Sequence, residues 1–297
     1  MKTHTGKHLS DSPVTKLVAT LILLAFFGLT GCASKIIVPP ISETATDIHY
    51  SGKFVWFDLF TTDINAASNF YHALFGWGFQ DTSTANPDVK TVFQNGKPIA
   101  NMINRSTKSE SSQWLSYMSV PDVDSAVVIV QNNNGSVYKD SKEFPDRGKV
   151  AIILDPQKAA VALLTSSTGD PQDGNFIPNR WLGCELWTTD VDMAVSFYQK
   201  LAGYEVNLVD VHAKVEYRML FSDGKRRAGV VSIPWKDITP EWVPYILVED
   251  VLQTTAKALE LGGKILISPD MSVKEGHIAI LSDPTGAVFG IQQLENN

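Results

Sequence analysis

Asp58-Leu59-Phe60-Thr61-Thr62-Asp63 and Glu185-Leu186-Trp187-Thr188-Thr189-Asp190 are one phrase written twice, 127 residues apart. The first is followed by Ala67, Phe70-Tyr71, Leu74 and Gly76. The second is followed by Ala194, Phe197-Tyr198, Leu201 and Gly203. Each copy reads as a short apolar strand that ends at an aspartate suited to cap a helix, because its carboxylate accepts from free backbone N–H groups. The apolar residues that follow recur at spacings of three and four, one face of a helix. The glycine stops that helix, since it tolerates the left-handed conformation at C′.

Working outward, a second pair of related stretches appears. Trp114-Leu115-Ser116-Tyr117-Met118-Ser119-Val120-Pro121-Asp122 matches Trp242-Val243-Pro244-Tyr245-Ile246-Leu247-Val248-Glu249-Asp250 at an offset of 128. Again a strand ends at an aspartate, and helices are predicted over Val123 to Asn132 and Val251 to Leu261. These units close with Asp155-Pro156 and Asp283-Pro284. Alternating runs such as Lys90 to Phe93, Ile99 to Ile103, Val215 to Phe221 and Ile278 to Leu281 lie between. The chain therefore reads as strand, helix and about three strands, four times over. The expected organisation is a leader over 1–31, a spacer over 32–52, a first domain over 53–167, a linker over 168–179 and a second domain over 180–297. The spacer holds Pro39-Pro40, and the linker holds Gly169-Asp170-Pro171 and Asp173-Gly174-Asn175.

The 297 residues suit about two domains, and 44% hydrophobic against 19% charged content suits ordinary globular cores. A formal charge of -7 and a pI near 5.4 argue against nucleic acid as a partner. Lys225-Arg226-Arg227 follows Asp223-Gly224 and reads as a solvated turn. At the N-terminus, Lys2, Lys7 and Lys16 precede the apolar stretch Leu17 to Leu29, which is short for a lasting membrane span. It ends in Leu29-Thr30-Gly31-Cys32, which resembles the lipobox of bacterial lipoproteins. That resemblance implies cleavage before Cys32, lipidation of Cys32, and a membrane anchor of buried methylenes. Ala33 after the cysteine implies, by the enterobacterial sorting rule, the periplasmic face of the outer membrane. Cleavage removes three of 25 basic and one of 32 acidic side chains, leaving a formal -9. Cys184 is then left without a disulfide partner.

The four units, with the Phe-Tyr helix, the Leu-x-Gly stop and the Asp-Pro-x-Gly strand, resemble the vicinal oxygen chelate superfamily of glyoxalases, bleomycin- and fosfomycin-resistance proteins and extradiol dioxygenases. The resemblance implies an α+β fold in which four βαβββ units form two glyoxalase-like domains, each with an open, cup-shaped sheet. It also implies metal ligands of the His, Glu or Gln type on first and last strands inside the cup. The corresponding positions here are Trp56, Leu115, Ala162, Gly183, Val243 and Gly290, and none of these can coordinate a divalent ion. The histidines show no His-x-His or His-Glu spacing and read as solvated. The expectation is that both cups are free of metal and of any other cofactor.

If the implied ligand positions face the cups, strand alternation turns Asp58, Tyr117, Glu185 and Tyr245 inward as well. Each cup then holds one carboxylate and one tyrosine. A carboxylate on an apolar strand is costly unless hydrogen-bonded, and a phenol can supply that bond. Two readings follow, a structural polar pair or a small-molecule site. Trp56 and Leu115 would fill the first cup, whereas Gly183, Val243 and Gly290, with Trp187 on the same face, would leave room in the second. The pocket residues so predicted are Asp58, Tyr117, Gly183, Glu185, Trp187, Tyr245 and Gly290. Cys184, of opposite parity, should be buried toward the helices. The function expected is small-molecule binding by a membrane-anchored lipoprotein. The alternatives are a metal-dependent enzyme of the same superfamily with displaced ligands, or a module that docks a partner protein.

Overall fold

A computed structural model of the chain describes residues 38–42, 44–82, 88–105, 111–208, 216–233, 239–271 and 274–294. The predicted lipobox, with Cys32, lies outside them. The first unit comprises β1 (Phe54–Thr61), α1 (Ile64–Phe75), β2 (Gly78–Asp81), β3 (Val89–Gln94) and β4 (Lys97–Asn104). The second comprises β5 (Gln113–Ser119), α2 (Val123–Asn132), β6 (Ser136–Phe144), β7 (Gly148–Leu154) and β8 (Ala160–Ser166). The third comprises β9 (Trp181–Thr188), α3 (Val191–Ala202), β10 (Glu205–Leu208), β11 (Tyr217–Ser222) and β12 (Lys225–Ser232). The fourth comprises β13 (Glu241–Val248), α4 (Val251–Glu260), β14 (Lys264–Ile267), β15 (Ile278–Ser282) and β16 (Val288–Gln293).

All four helices start as their sequences dictate. The carboxylates of Asp63, Asp122, Asp190 and Asp250 each accept from backbone N–H groups of the first turn. Gly76 and Gly203 close α1 and α3 at φ 72° and 71°, where a side chain would be strained. Two units join into one eight-stranded sheet, in the order β2-β3-β4-β1-β5-β8-β7-β6. The other two repeat it as β10-β11-β12-β9-β13-β16-β15-β14. Units meet at antiparallel pairs, β1 with β5 and β9 with β13. The parallel pairs β1–β4 and β5–β8 flank the first of these, as β9–β12 and β13–β16 flank the second.

One large apolar core lies between the sheets, on the faces away from the cups, and draws on both domains. Phe57, Leu59, Trp114 and Met118 meet Leu186, Trp242 and Ile246, with the helices filling the sides. Helix α1 packs with α4 and α2 with α3, so each domain's helices contact the other's. The Phe-Tyr and Asp-Pro motifs meet across this boundary. The Tyr198 hydroxyl accepts from Trp242 Nε1 at 2.8 Å and donates to Asp155 Oδ2 at 3.3 Å. Its counterpart Tyr71 accepts from Trp114 Nε1 at 2.9 Å and faces the charge of Asp283. Asp155 and Asp283 also tie their own turns, to the N–H groups of Ala159 and Ala287. Cys184 is in this core, buried against Ser116 Oγ at 3.4 Å.

The stretches read as spacer and linker are docked where the structure describes them. Thr46 N donates to Thr168 O at 2.8 Å, Tyr50 N to the buried Asp170 at 2.6 Å, and Asp173 pairs with Lys53 and Arg227. Gln94 and Trp77 donate to the carbonyls of Pro178 and Asn179. Polar side chains thus give these Pro- and Gly-rich segments partners that composition alone does not reveal.

Replacing Tyr198 by Phe strands the buried Trp242 N–H and removes a donor from Asp155. It should cost about 1–3 kcal/mol, read as a lower midpoint in urea unfolding; an unchanged midpoint contradicts the cross-domain role.

Candidate functional site

The second cup is built on the inner faces of β9, β11, β13, β15 and β16. Register places Gly183 opposite Tyr245, Glu185 opposite Val243, and Tyr245 beside Gly290. Glu185 Oε1 is the hub. It accepts from Tyr217 at 2.8 Å and pairs with Lys274 Nζ at 2.6 Å, and Tyr245 donates to the same carboxylate. The Trp187 indole lies beside the Tyr245 hydroxyl. The Lys274 ammonium lies 5.1 Å from the Tyr217 ring centre and 5.7 Å from that of Tyr245, within range of cation–π attraction.

Small residues make this convergence possible. A Cβ on Gly290 would fall 2.5 Å from the Tyr245 ring, and one on Gly229 would fall 2.3 Å from the Tyr217 hydroxyl. At Gly183 the inner surface is open, with the nearest atom, Arg227 O, 3.9 Å from where a Cβ would stand. Val243, Tyr245, Ile278 and Ile280 are buried in the cup. Leu182, Trp187, Leu266, Ile267 and Val288 line it while remaining half-buried. The cup is therefore an apolar, partly open concavity with one charged centre.

The first cup repeats the centre and seals it. Tyr117 donates to Asp58 Oδ2 at 2.5 Å, and Trp56 Nε1 to Asp58 Oδ1 at 2.9 Å. Arg147 stacks over Trp56, 3.8 Å from the ring centre, and supplies the positive charge. The guanidinium is itself covered, since Arg147 Nε donates to Pro39 O at 2.8 Å. Ile41 is buried with Trp56, Phe60, Leu115, Tyr117, Ala162 and Leu164. Trp56 thus stands where the second cup has Gly183, and chain from the spacer closes the first cup.

Arg147 and Lys274 come from the matching β6–β7 and β14–β15 connections and are again 127 residues apart. The structure brings together both predicted pairs, Asp58 with Tyr117 and Glu185 with Tyr245, and sets Trp187 and Gly290 around the second. Sequence reasoning missed Arg147, Lys274, Tyr217 and Ile41. The repeat offset carries a signal for the first two. Tyr217 has the parity of the cup face on β11, and nothing marks Ile41.

Electrostatics separates the two carboxylates. Burial raises the pKa of Asp58, and Arg147, Tyr117, Trp56 and Asn101 only partly oppose it. Burial also pushes Glu185 up, but the charge of Lys274 and the bonds from Lys274, Tyr245 and Tyr217 outweigh it, so its pKa falls below the ordinary value. Burial and then the neighbouring carboxylate raise the three phenols well above their usual range, so all stay protonated donors at neutral pH. Arg147 is lowered by burial to about 10, held up by Asp58 and Tyr117, and remains charged.

This donor set does not fit a divalent cation. Among the described residues no three His, Cys, Asp or Glu side chains converge. At the centre of each cup the carboxylate, Asp58 or Glu185, already faces an arginine or lysine that would repel a second cation.

Residues 53–91 match the family model described as bleomycin resistance protein-like, N-terminal. A protein provisionally named glyoxylase CFP32, from Mycobacterium tuberculosis, is 32% identical over 248 residues, covering 80% of this chain and 92% of that protein. The anthracycline biosynthesis protein DauV of Streptomyces sp. strain C5 is 25% identical over 262 residues, covering 82% and 94%. The fold is similar to that of a Mn(II)-bound glyoxalase from Novosphingobium aromaticivorans, with a TM-score of 0.57, 13% identity, and 83% of each chain covered. It is also similar to that of the 2,3-dioxygenase LapB from Pseudomonas sp. KL28, with a TM-score of 0.55, 12% identity, and coverage of 86% and 94%.

Lys274→Met should reverse the titration of Glu185. In the native protein the depressed pKa gives stability that is present above the unfolded value and is lost as pH falls through the folded one. Without Lys274, burial dominates, the pKa rises, and stability declines as pH rises. Relative to native protein, the variant should lose about 3 kcal/mol at pH 8 and much less at pH 4, measured by urea unfolding. A loss independent of pH contradicts the assignment.

Proposed function

Because this chain belongs to the vicinal oxygen chelate superfamily, as two glyoxalase-like domains in one polypeptide, we propose that its second cup binds a small organic molecule without a divalent ion. The observation that carries this reading is the asymmetry of two otherwise matched centres. One carboxylate–tyrosine–cation cluster is sealed by Trp56, Arg147 and Ile41, and its repeat sits in a cup with half-buried apolar walls. Lys274 spends one donor on Glu185 and has two more for oxygen acceptors of a ligand. The Tyr217 and Tyr245 hydroxyls sit beside it, and Trp187 offers an aromatic face. A flat or apolar body with a carbonyl or hydroxyl oxygen fits that lining. Relatives named for glyoxylase activity and for anthracycline biosynthesis, both small-molecule chemistry, support an organic ligand.

The metal-dependent alternative needs ligands displaced from Trp56, Leu115, Ala162, Gly183, Val243 and Gly290, and among the described residues no three His, Cys, Asp or Glu side chains converge to supply them. A fixed ammonium can polarise an oxygen acceptor, as a metal does, but with one charge and with directed hydrogen bonds. We further propose that the protein is held at the cell envelope by lipid on Cys32, at the periplasmic face of the outer membrane. The lipobox-like Leu29-Thr30-Gly31-Cys32 supports this.

Quenching of tryptophan fluorescence by 1-naphthalenemethanol, a neutral aromatic alcohol, tests the site. Glu185→Gln combined with Tyr245→Phe should leave the fold intact and weaken probe binding about tenfold, roughly 1.4 kcal/mol. Equal affinity in the folded double variant removes the site role. Cys32→Ala should move the protein from the membrane fraction to the soluble fraction; unchanged fractionation contradicts the anchor.

A further inference from the structure

The polar hydrogens at the centre of the open cup divide into those already engaged and those still free. A phenol has one proton to give. Tyr217 gives its proton to Glu185 Oε1 at 2.8 Å, and Tyr245 gives its own to the same carboxylate. The uncommitted hydrogens of this centre are therefore on cations. Lys274 Nζ uses one of its three on Glu185. Arg226 of β12, exposed at the rim, reaches the Tyr217 hydroxyl from Nη2 at 3.3 Å, and among the described residues no carboxylate pairs with it. Lys274 and Arg226 thus flank the Tyr217–Glu185 bond, two positive charges against one negative. The other carboxylate on this face, Glu241, is half-buried opposite Trp187, four residues along β9 from Gly183, or about 13 Å. The basic and acidic ends of the cup are apart.

The sealed cup lacks this second cation. On β11 and β12, Tyr217 pairs with Val231 and Phe221 with Arg226; on β3 and β4, Val89 pairs with Ile103 and Phe93 with Pro98. Val89 and Pro98 therefore hold the places of Tyr217 and Arg226, 128 residues earlier. In the first cup Arg147 faces Asp58, charge for charge. The excess positive charge belongs to the cup that has room, and the room lies beside it. Arg227 O, on the residue next to Arg226, is the nearest atom to the vacant side-chain place of Gly183, at 3.9 Å. Tyr245 stands opposite Gly183 on the other side. A group resting on Gly183 has Arg226 on one flank and Tyr245 with Lys274 on the other.

We infer that the ligand of the second cup is a monoanion, a carboxylate on an apolar or aromatic body, and that its carboxylate rests over Gly183 between Arg226 and Lys274. This rests on the second cup being a binding site. A planar carboxylate matches the fork of a guanidinium and can accept from the ammonium as well. A neutral oxygen would take the same hydrogen bonds and leave the excess charge unbalanced. A protonated amine would meet two cations and be repelled. One excess charge also suits a carboxylate better than a dianionic phosphate ester. The apolar body then lies along the wall toward Trp187, away from the charged end.

Four probes of matched shape test this by titration of the full chain: 1-naphthoate, 1-naphthalenemethanol, 1-naphthylmethylamine and 1-naphthyl phosphate. Naphthoate should bind about tenfold more tightly than the alcohol, because charge-assisted hydrogen bonds are the stronger kind, and the amine should bind most weakly. Arg226→Gln should bring naphthoate and the alcohol to equal affinity, and Arg226→Lys, which keeps the charge, should restore part of the preference. Should the alcohol or the amine bind as tightly as naphthoate, should the phosphate bind more tightly, or should the preference survive in Arg226→Gln, the inference is overturned and the cup remains a binding site. Should none of the four probes bind, the binding function itself is overturned with it.

Discussion

A carboxylate on the inner face of an apolar sheet needs compensation, and this protein solves that problem twice with the same parts. In each domain the first strand offers Asp58 or Glu185, the fifth offers Tyr117 or Tyr245, and a connection between outer strands brings Arg147 or Lys274. Leaving a buried charge unpaired costs several kcal/mol, whereas a tyrosine and a cation together satisfy it. The positions where related metalloproteins of the superfamily are expected to carry ligands hold apolar residues or glycine. The positive charge of each cup is therefore covalent, carried on the chain itself.

The two centres have diverged in access. In the first cup Trp56 donates to the carboxylate, Arg147 stacks upon it, and Ile41 with Pro39 closes the mouth. In the second, Gly183 replaces the tryptophan, and apolar residues such as Leu182, Trp187 and Val288 stay half-buried. The first arrangement contributes stability, and the second leaves surface for a ligand. Behind both lies a shared core, locked by tyrosines of one domain against the Asp-Pro turns of the other. The cups are thus held by a body that neither domain makes alone.

Much of this is legible in the sequence, because repetition and strand parity are periodic signals. The 127-residue offset announced four units, the aspartate caps and glycine stops marked the helices, and alternation turned Asp58 and Glu185 toward Tyr117 and Tyr245. What escaped lies where periodicity fails. Arg147 and Lys274 sit in irregular connections, and only extending the offset into those connections would have paired them. Tyr217 reaches Glu185 because Gly229 lets it, a contact that depends on three strands at once. Ile41 fills a cup formed by residues far along the chain, and no local pattern foretells that.

The central claim is that a side-chain cation stands in each cup where a divalent ion would otherwise be required. Titration of the full chain with Mn(II), followed by paramagnetic broadening of side-chain NMR signals, addresses it most directly. The account predicts no stoichiometric site and no selective broadening of Trp187, Tyr217 or Tyr245. One equivalent of tightly bound Mn(II) that broadens those three residues would contradict it.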